Sequence, residues 1–268
     1  MQIRDTFATA ISEKIEPIVK VADRSAPTIR DELTHLVMTP QWEKHIHSVL
    51  DAYANAATSE HEGAVGVWIN GFFGSGKSLL MKVIGLLLEG GDVEGQSVHE
   101  LFLSRFPVGS QYASEIKHNL SVLHLKVATT AIGGNLHSLL ADKEDSLPLL
   151  AFKLFANRAG FTQNWPFAYA IEYRIEEVGK TADFHARVEE LAGAAWDEIA
   201  NDPEVYFDVL FRAAAELLPK LFSSPAAVET SMQGMQKSGL TAQRIVERLR
   251  RWCVARNANG RRHKLLLE

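Results

Sequence analysis

A glycine-rich octapeptide at residues 71–78 constrains this chain more than any other part of its sequence. It reads Gly71, Phe72, Phe73, Gly74, Ser75, Gly76, Lys77, Ser78 and fits the Walker A pattern Gly-x-x-x-x-Gly-Lys-Ser. Backbone N–H groups wrap a phosphate closely only where side chains do not obstruct them, and glycine also adopts the positive φ angles that such a loop needs. The pattern therefore predicts a phosphate-binding loop between a strand and a helix.

The residues at the end of the loop predict its ligand. Lys77 carries a charge that can reach the β- and γ-phosphates of a nucleoside triphosphate, and the Ser78 hydroxyl can coordinate Mg²⁺. A helix that begins here directs the positive end of its dipole at the phosphates. We expect ATP and Mg²⁺ as cofactors, with nucleotide contacts from Gly71 through Leu79 and a metal contact from Ser78.

The flanking segments have the order that this site requires. The β-branched and aromatic run Val65–Ile69 predicts a buried strand, and apolar residues at helical spacing predict a helix over 79–88 that ends at the glycines 90 and 91. Upstream, two amphipathic helices are predicted: one carries Ile29 and Leu33, and the other begins at the capping residue Thr39. A second strand is predicted at Ser121–Val127.

The second half of the chain has mostly helical spacing. Helices are predicted throughout 146–222, including one over 184–199, followed by a loop over 223–238, where Pro and Gly interrupt the pattern. A basic helix is predicted from Thr241 to Arg256. The apolar run Leu265–Leu267 resembles the opening of a further strand.

These segments predict an α/β fold with a P-loop NTPase core of the ASCE/AAA-like type. The predicted parts are an N-terminal helical prelude (1–62), the first part of the core (63–145), a long helical insertion (146–238), and a basic helix with the start of a strand truncated before Walker B (239–268).

No hydrolytic acid is identified in the sequence, so the catalytic residues stay unknown. A Walker B strand ends in an acid that holds Mg²⁺. Asp208 and the pair Asp197 and Glu198 follow apolar residues, but they fit helix faces better than strand ends. Glu268 is either a metal-binding acid or an ordinary strand residue, and the second interpretation is favoured.

Two further features have more than one interpretation. Phe72 and Phe73 are bulky for a phosphate loop, and either pack against the helical prelude, which we favour, or touch a base or a partner. The segment Arg244–Lys264 holds eight of the basic residues and one acid. It either contacts DNA phosphates or, as favoured here, forms a solvated face or a contact with a remainder of the protein that lies outside this sequence.

Composition indicates a globular protein of the cytoplasm. The chain has 46% hydrophobic and 23% charged residues, a net charge of −5 and one cysteine, Cys253, which excludes an internal disulfide and zinc spacings. Its first residues lack the apolar core of a signal peptide, and no apolar run is long enough to span a membrane.

Most of the chain resembles the large P-loop proteins of BREX phage-defence systems and of phage growth limitation, the BrxC/PglY family. The resemblance is carried by 14–21, Pro40–Tyr53, Val65–Asn70 with the octapeptide, and Trp165–Trp196, and most distinctively by the double phenylalanine. It implies a longer protein with an Asp-Glu pair after an apolar run like Leu265–Leu267, and this chain would be its N-terminal fragment. It further implies partners that include a DNA methyltransferase and a phosphatase-like protein, with DNA nearby.

The predicted function is therefore an ATP-binding module of a BREX-type defence ATPase that drives or gates a complex on DNA, with a homo-oligomer left open. One alternative is a switch or scaffold that binds ATP without turnover. A small-molecule kinase would use the same loop, but the sequence offers no obvious acceptor pocket.

Overall fold

The computed structural model describes residues 19–58, 66–134 and 146–267, which form a helix-rich mixed fold with a small parallel sheet. Two amphipathic helices, α1 (Ala26–Thr34) and α2 (Pro40–Thr58), precede the glycine loop, as predicted. Ile29 and Leu33 of α1 and Ile46 and Leu50 of α2 are buried in one cluster. Thr39 caps α2, because its hydroxyl accepts a hydrogen bond of 3.3 Å from the Trp42 N–H.

Helix α3 (Lys77–Glu89) follows the loop and is almost entirely buried from its second turn onward. Its apolar residues Val83 and Leu87 are inaccessible to solvent in the same cluster as α1 and α2. Gly90 ends the helix at φ 72°, a conformation that favours glycine. The predicted helix over 79–88 is confirmed, and it begins two residues earlier, at Lys77, and ends at Glu89.

The predicted strand at Ser121–Val127 is wrong, because most of this segment is helical. After a hairpin of β1 (Asp92–Val93) and β2 (Gln96–Ser97) and a short helix α4 (Val98–Leu103), helix α5 extends over Ala113–Lys126. Its buried residues Ile116, Leu120 and Leu123 recur at helical spacing, whereas Leu125 is 77% exposed. Strand β3 begins only at Val127 and runs to Ile132.

A parallel strand near the end of the chain completes the sheet. Strand β4 (Arg262–Leu267) pairs with β3 from Val127 opposite Arg262 to Ile132 opposite Leu267. The strand predicted from the apolar run is confirmed and begins before that run. Parallel neighbours need a long crossover, and here the helical segment 146–261 supplies it.

That crossover is helical over most of its length. Its helices are α6 (Leu147–Arg158), α7 (Trp165–Phe167) continued by a π-turn (Ala168–Glu172) into α8 (Tyr173–Glu177), α9 (Thr181–Ala192), α10 (Trp196–Asn201), a 3₁₀ turn (Pro203–Tyr206), α11 (Phe207–Leu217), α12 (Pro225–Ser238) and α13 (Ala242–Ala255). The expected helix over 184–199 is broken at Gly193, which adopts φ 67°. The expected loop over 223–238 is wrong, because Pro225 starts a helix and Ser224 caps it through the Ala227 N–H.

The expected strand before the glycine loop is also not formed in its described part. Residues 66–70 have no regular structure, and Trp68 is 89% exposed. A short β-branched run becomes a strand only where a neighbour supplies backbone partners, and β3 and β4 pair with each other. The sheet formed by β3 and β4 is therefore two-stranded and parallel among the described residues, and the finer P-loop core topology stays a prediction. No helix in the described part of the chain is long and apolar enough to cross a bilayer.

The last residue of the π-turn, Glu172, carries a buried carboxyl group. Glu172 is 2% exposed and accepts hydrogen bonds from the Thr162 hydroxyl at 2.7 Å and from the Thr162 N–H at 3.0 Å. Burial raises the pKa of Glu172 from 4.5 to about 8, against the lowering effect of these hydrogen bonds. The folded chain therefore holds a proton that the unfolded chain releases at lower pH.

We predict that Glu172 makes the protein lose stability as the pH rises. Because the folded pKa is the higher one, its contribution is full below pH 4.5 and is lost as the pH rises through about 8. Glu172→Gln should remove this slope from the melting temperature measured between pH 5 and 9, whereas Glu177→Gln, at an exposed position of α8, should keep it. The prediction would be contradicted if the melting temperatures of Glu172→Gln and of the unaltered chain changed with pH in the same way.

Candidate phosphate-binding site

The glycines of the loop have the backbone conformations that the motif predicts. Gly74 and Gly76 adopt φ angles of 78° and 81°, which side-chain-bearing residues rarely adopt. A methyl group at Gly71 would lie 2.8 Å from the Ser75 hydroxyl oxygen, closer than real contacts allow. The Ser75 N–H donates to the Phe72 carbonyl at 3.2 Å and tightens the turn. The loop therefore depends on its glycines at three places.

The Lys77 side chain folds back over the loop. Its ammonium donates to the Gly71 carbonyl at 3.0 Å and to the Phe72 carbonyl at 2.7 Å. These acceptors lie six and five residues earlier, so the cation sits inside the curve of the backbone. Phosphate oxygens accept the same hydrogen bonds more strongly, because they are charged.

The first turn of α3 supplies further donors. Gly76 is the N-cap, and the first intrahelical bond runs from the Leu80 N–H to the Gly76 carbonyl at 2.9 Å. The N–H groups before Leu80 have no intrahelical acceptor and face the loop with the positive end of the helix dipole. Ser78 is exposed, so its hydroxyl is accessible to a metal ion, while the half-buried Leu79 packs against the core.

Trp42 is a neighbour of the loop that the sequence motif does not identify. A methyl group built on Gly76 would lie 3.0 Å from the Cζ2 atom of Trp42, in the first turn of α2. In the sequence, Trp42 is one member of an apolar stripe, and no local pattern distinguishes it from the core residues Ile46 and Leu50. Only the packing of α2 beside α3 brings it to the site.

The two phenylalanines do not pack as expected. Phe72 is 90% exposed and Phe73 is fully exposed, so the favoured contact with the helical prelude is wrong for the described residues. Residues 66–70, which precede the loop, are also mostly exposed. Trp68, three residues before the motif, is exposed as well.

The far end of α3 is held by two sets of contacts. Glu89 accepts the Ala131 N–H of β3 at 2.7 Å and forms ion pairs with Arg24 and Arg158. The ring nitrogens of His99 and His124 lie 2.8 and 3.0 Å from the Leu87 carbonyl. Glu89 is about 18 Å along the helix from Lys77, so it does not belong to the phosphate site.

The candidate acids of the helical segment lie on helices and not at strand ends. Asp208 lies on an exposed face of α11, and Asp197 and Glu198 lie on α10, where Glu198 accepts the Tyr206 hydroxyl at 2.8 Å. Their interpretation as helix faces is confirmed, while Glu268 lies outside the described residues. Within 19–58, 66–134 and 146–267, no group of three His, Cys, Asp or Glu side chains is arranged to hold a metal ion.

Much of the basic segment makes contacts inside the chain. The Arg248 guanidinium lies between the rings of Tyr169 and Tyr173, 4.1 Å from each centroid. Arg256 stacks on a tryptophan of α13 and pairs with Glu176 of α8, and Arg261 donates to a β3 carbonyl. Part of this charge therefore joins α13 to α8, and Arg261, the residue before β4, contacts β3.

No protein-family model and no solved structure matches the chain.

We predict that Gly90→Ala destabilises the chain more than a matched change elsewhere. The new methyl group would lie 2.7 Å from the His124 ring, in addition to the strain of φ 72°. Gly95→Ala, at φ 82° with no atom within 4 Å, isolates the backbone strain, which costs on the order of 1–3 kcal/mol. Equal free energies of unfolding for the two variants in urea would refute the steric contact.

Proposed function

We propose that residues 71–79 bind the triphosphate of ATP together with Mg²⁺. The observation that carries the proposal is the Lys77 ammonium, which lies inside a loop of left-handed glycines at the N-terminus of α3. Loop N–H groups and the first turn of α3 would surround the β-phosphate. Lys77 would exchange its two carbonyl acceptors for oxygens of the β- and γ-phosphates, and Ser78 would contribute its hydroxyl to Mg²⁺.

We further propose that the chain is the ATP-binding part of a BREX-type anti-phage defence protein. The support is the resemblance in sequence, above all the double phenylalanine Phe72 and Phe73 beside the motif. The proposal includes a cytoplasmic location and partners such as a DNA methyltransferase and a phosphatase-like protein. It is also compatible with a homo-oligomer. DNA contact through Arg244–Lys264 is part of the same proposal, carried by exposed residues such as Arg250.

Turnover of ATP is proposed for a longer protein rather than for these residues alone. Neither β3 (Val127–Ile132) nor β4 (Arg262–Leu267) contains Asp or Glu, and a Walker B acid belongs to a strand of the sheet. This observation supports the alternative of an ATP-operated switch with slow or absent turnover. No feature of the described residues favours a small-molecule kinase.

The proposal predicts that Lys77→Ala raises the dissociation constant for MgATP at least tenfold, because the ammonium is the cation directed at the phosphates. Lys117→Ala is the matched control, since Lys117 is an exposed lysine of α5. Calorimetric titration measures binding, and a phosphate-release assay on the same samples should give little turnover. The proposal fails if the unaltered chain and Lys77→Ala bind MgATP equally, or if neither binds.

A further inference from the structure

We infer that Trp42 is a positioning residue for the phosphate loop, an inference that rests on the proposed function. The edge of its indole ring lies beside Gly76, so that a methyl group on this glycine would be 3.0 Å from Cζ2 and 3.9 Å from Cε2 and Cη2. The ring occupies the space that a side chain at Gly76 would need. It also blocks movement of the loop toward α2.

The contact falls at a sensitive point of the loop. Gly76 is the N-cap of α3, adopts φ 81°, and directly precedes Lys77 and Ser78. A rotation at Gly76 redirects the N–H groups of the first turn and displaces the start of the Lys77 side chain. The Trp42 ring beside Gly76 therefore limits the directions that the first-turn N–H groups of α3 and the Lys77 side chain can take.

Trp42 is held by a rigid element. The cap from Thr39 orders the turn that contains it, and the neighbouring Glu43 is buried, with its carboxylate accepting the Ser110 hydroxyl. Ile46 and Leu50, one and two turns further along α2, are inaccessible to solvent. Because the core fixes α2, the half-buried indole of Trp42 has a fixed position beside the loop.

The chemical consequence is preorganisation. A loop that already has the bound conformation loses less conformational entropy on binding, so its affinity is higher than that of a free loop with the same residues. Trp42 would act through Gly76 and not by touching phosphate. Replacing Trp42 should therefore lower nucleotide affinity more than the loss of its contacts with the core would by itself.

The test compares two aromatic-to-leucine changes on the same helix face. Trp42 and Tyr53 are both partly buried against the same core cluster, but Tyr53 lies three turns of α2 away from Trp42. We expect Trp42→Leu to raise the dissociation constant for MgADP five- to tenfold and Tyr53→Leu to change it less than twofold, at comparable losses of melting temperature. Equal affinities in the two folded variants would overturn the inference.

A second measurement does not depend on the folding of Trp42→Leu. The difference in emission between the unaltered chain and Trp42→Phe isolates the fluorescence of Trp42. A preorganised loop keeps its conformation when nucleotide binds, so we expect the emission wavelength of Trp42 to stay the same at full binding of MgADP, and a large shift of this wavelength would overturn the inference. If the unaltered chain does not bind MgADP at all, both the proposed function and the inference are wrong. If it binds MgADP with an affinity that does not depend on residue 42, only the inference is wrong.

Discussion

The burial of α3 is the constraint on which the candidate site depends. From Lys82 to Leu88 every residue of this helix is buried, and Val83 and Leu87 are inaccessible to solvent between α1, α2 and α5. Even Lys82 is enclosed, with its ammonium 2.7 Å from a Glu32 carboxylate oxygen and 3.2 Å from the Lys20 carbonyl. Burial raises the pKa of Glu32 although Lys82 opposes that shift. Because Lys82 is fully buried and Glu32 half-buried, their ion pair ties α1 to α3 in one arrangement.

This burial gives the first turn of α3 a fixed position relative to α2. The loop at 71–76 can then combine two properties that conflict in an isolated peptide: backbone freedom at glycine and a defined direction for its N–H groups. Gly76 provides the conformation and Trp42 limits its range. At the other end, Glu89 joins the helix to β3, and the histidines on the Leu87 carbonyl join it to α4 and α5.

Sequence patterns predict those elements whose signals are local. The caps and stripes of α1, α2, α3 and α13 identify these helices, and the octapeptide identifies the loop, because a glycine at a required φ angle or a hydroxyl at a cap is visible in the sequence itself. The strand at 121–127 was mispredicted because alternation and helical spacing overlap in Val122, Leu123 and Leu125, and burial on α5 decided between them. At 223–238 the proline starts a helix instead of ending one.

What the sequence does not predict is set by contacts between distant segments. Trp42 is 34 residues before Gly76 and reaches it only through helix packing. The exposure of Phe72 and Phe73 likewise depends on where 66–70 runs, and a β-branched composition does not contain that information.

Backbone amide hydrogen exchange with and without MgATP tests the central claim most directly. If residues 71–79 bind the phosphates, the exchange of the amides from Gly74 to Leu79 slows at millimolar MgATP, and the protection is lost in Lys77→Ala. Unchanged exchange across these amides, or protection confined to another part of the chain, would contradict the account.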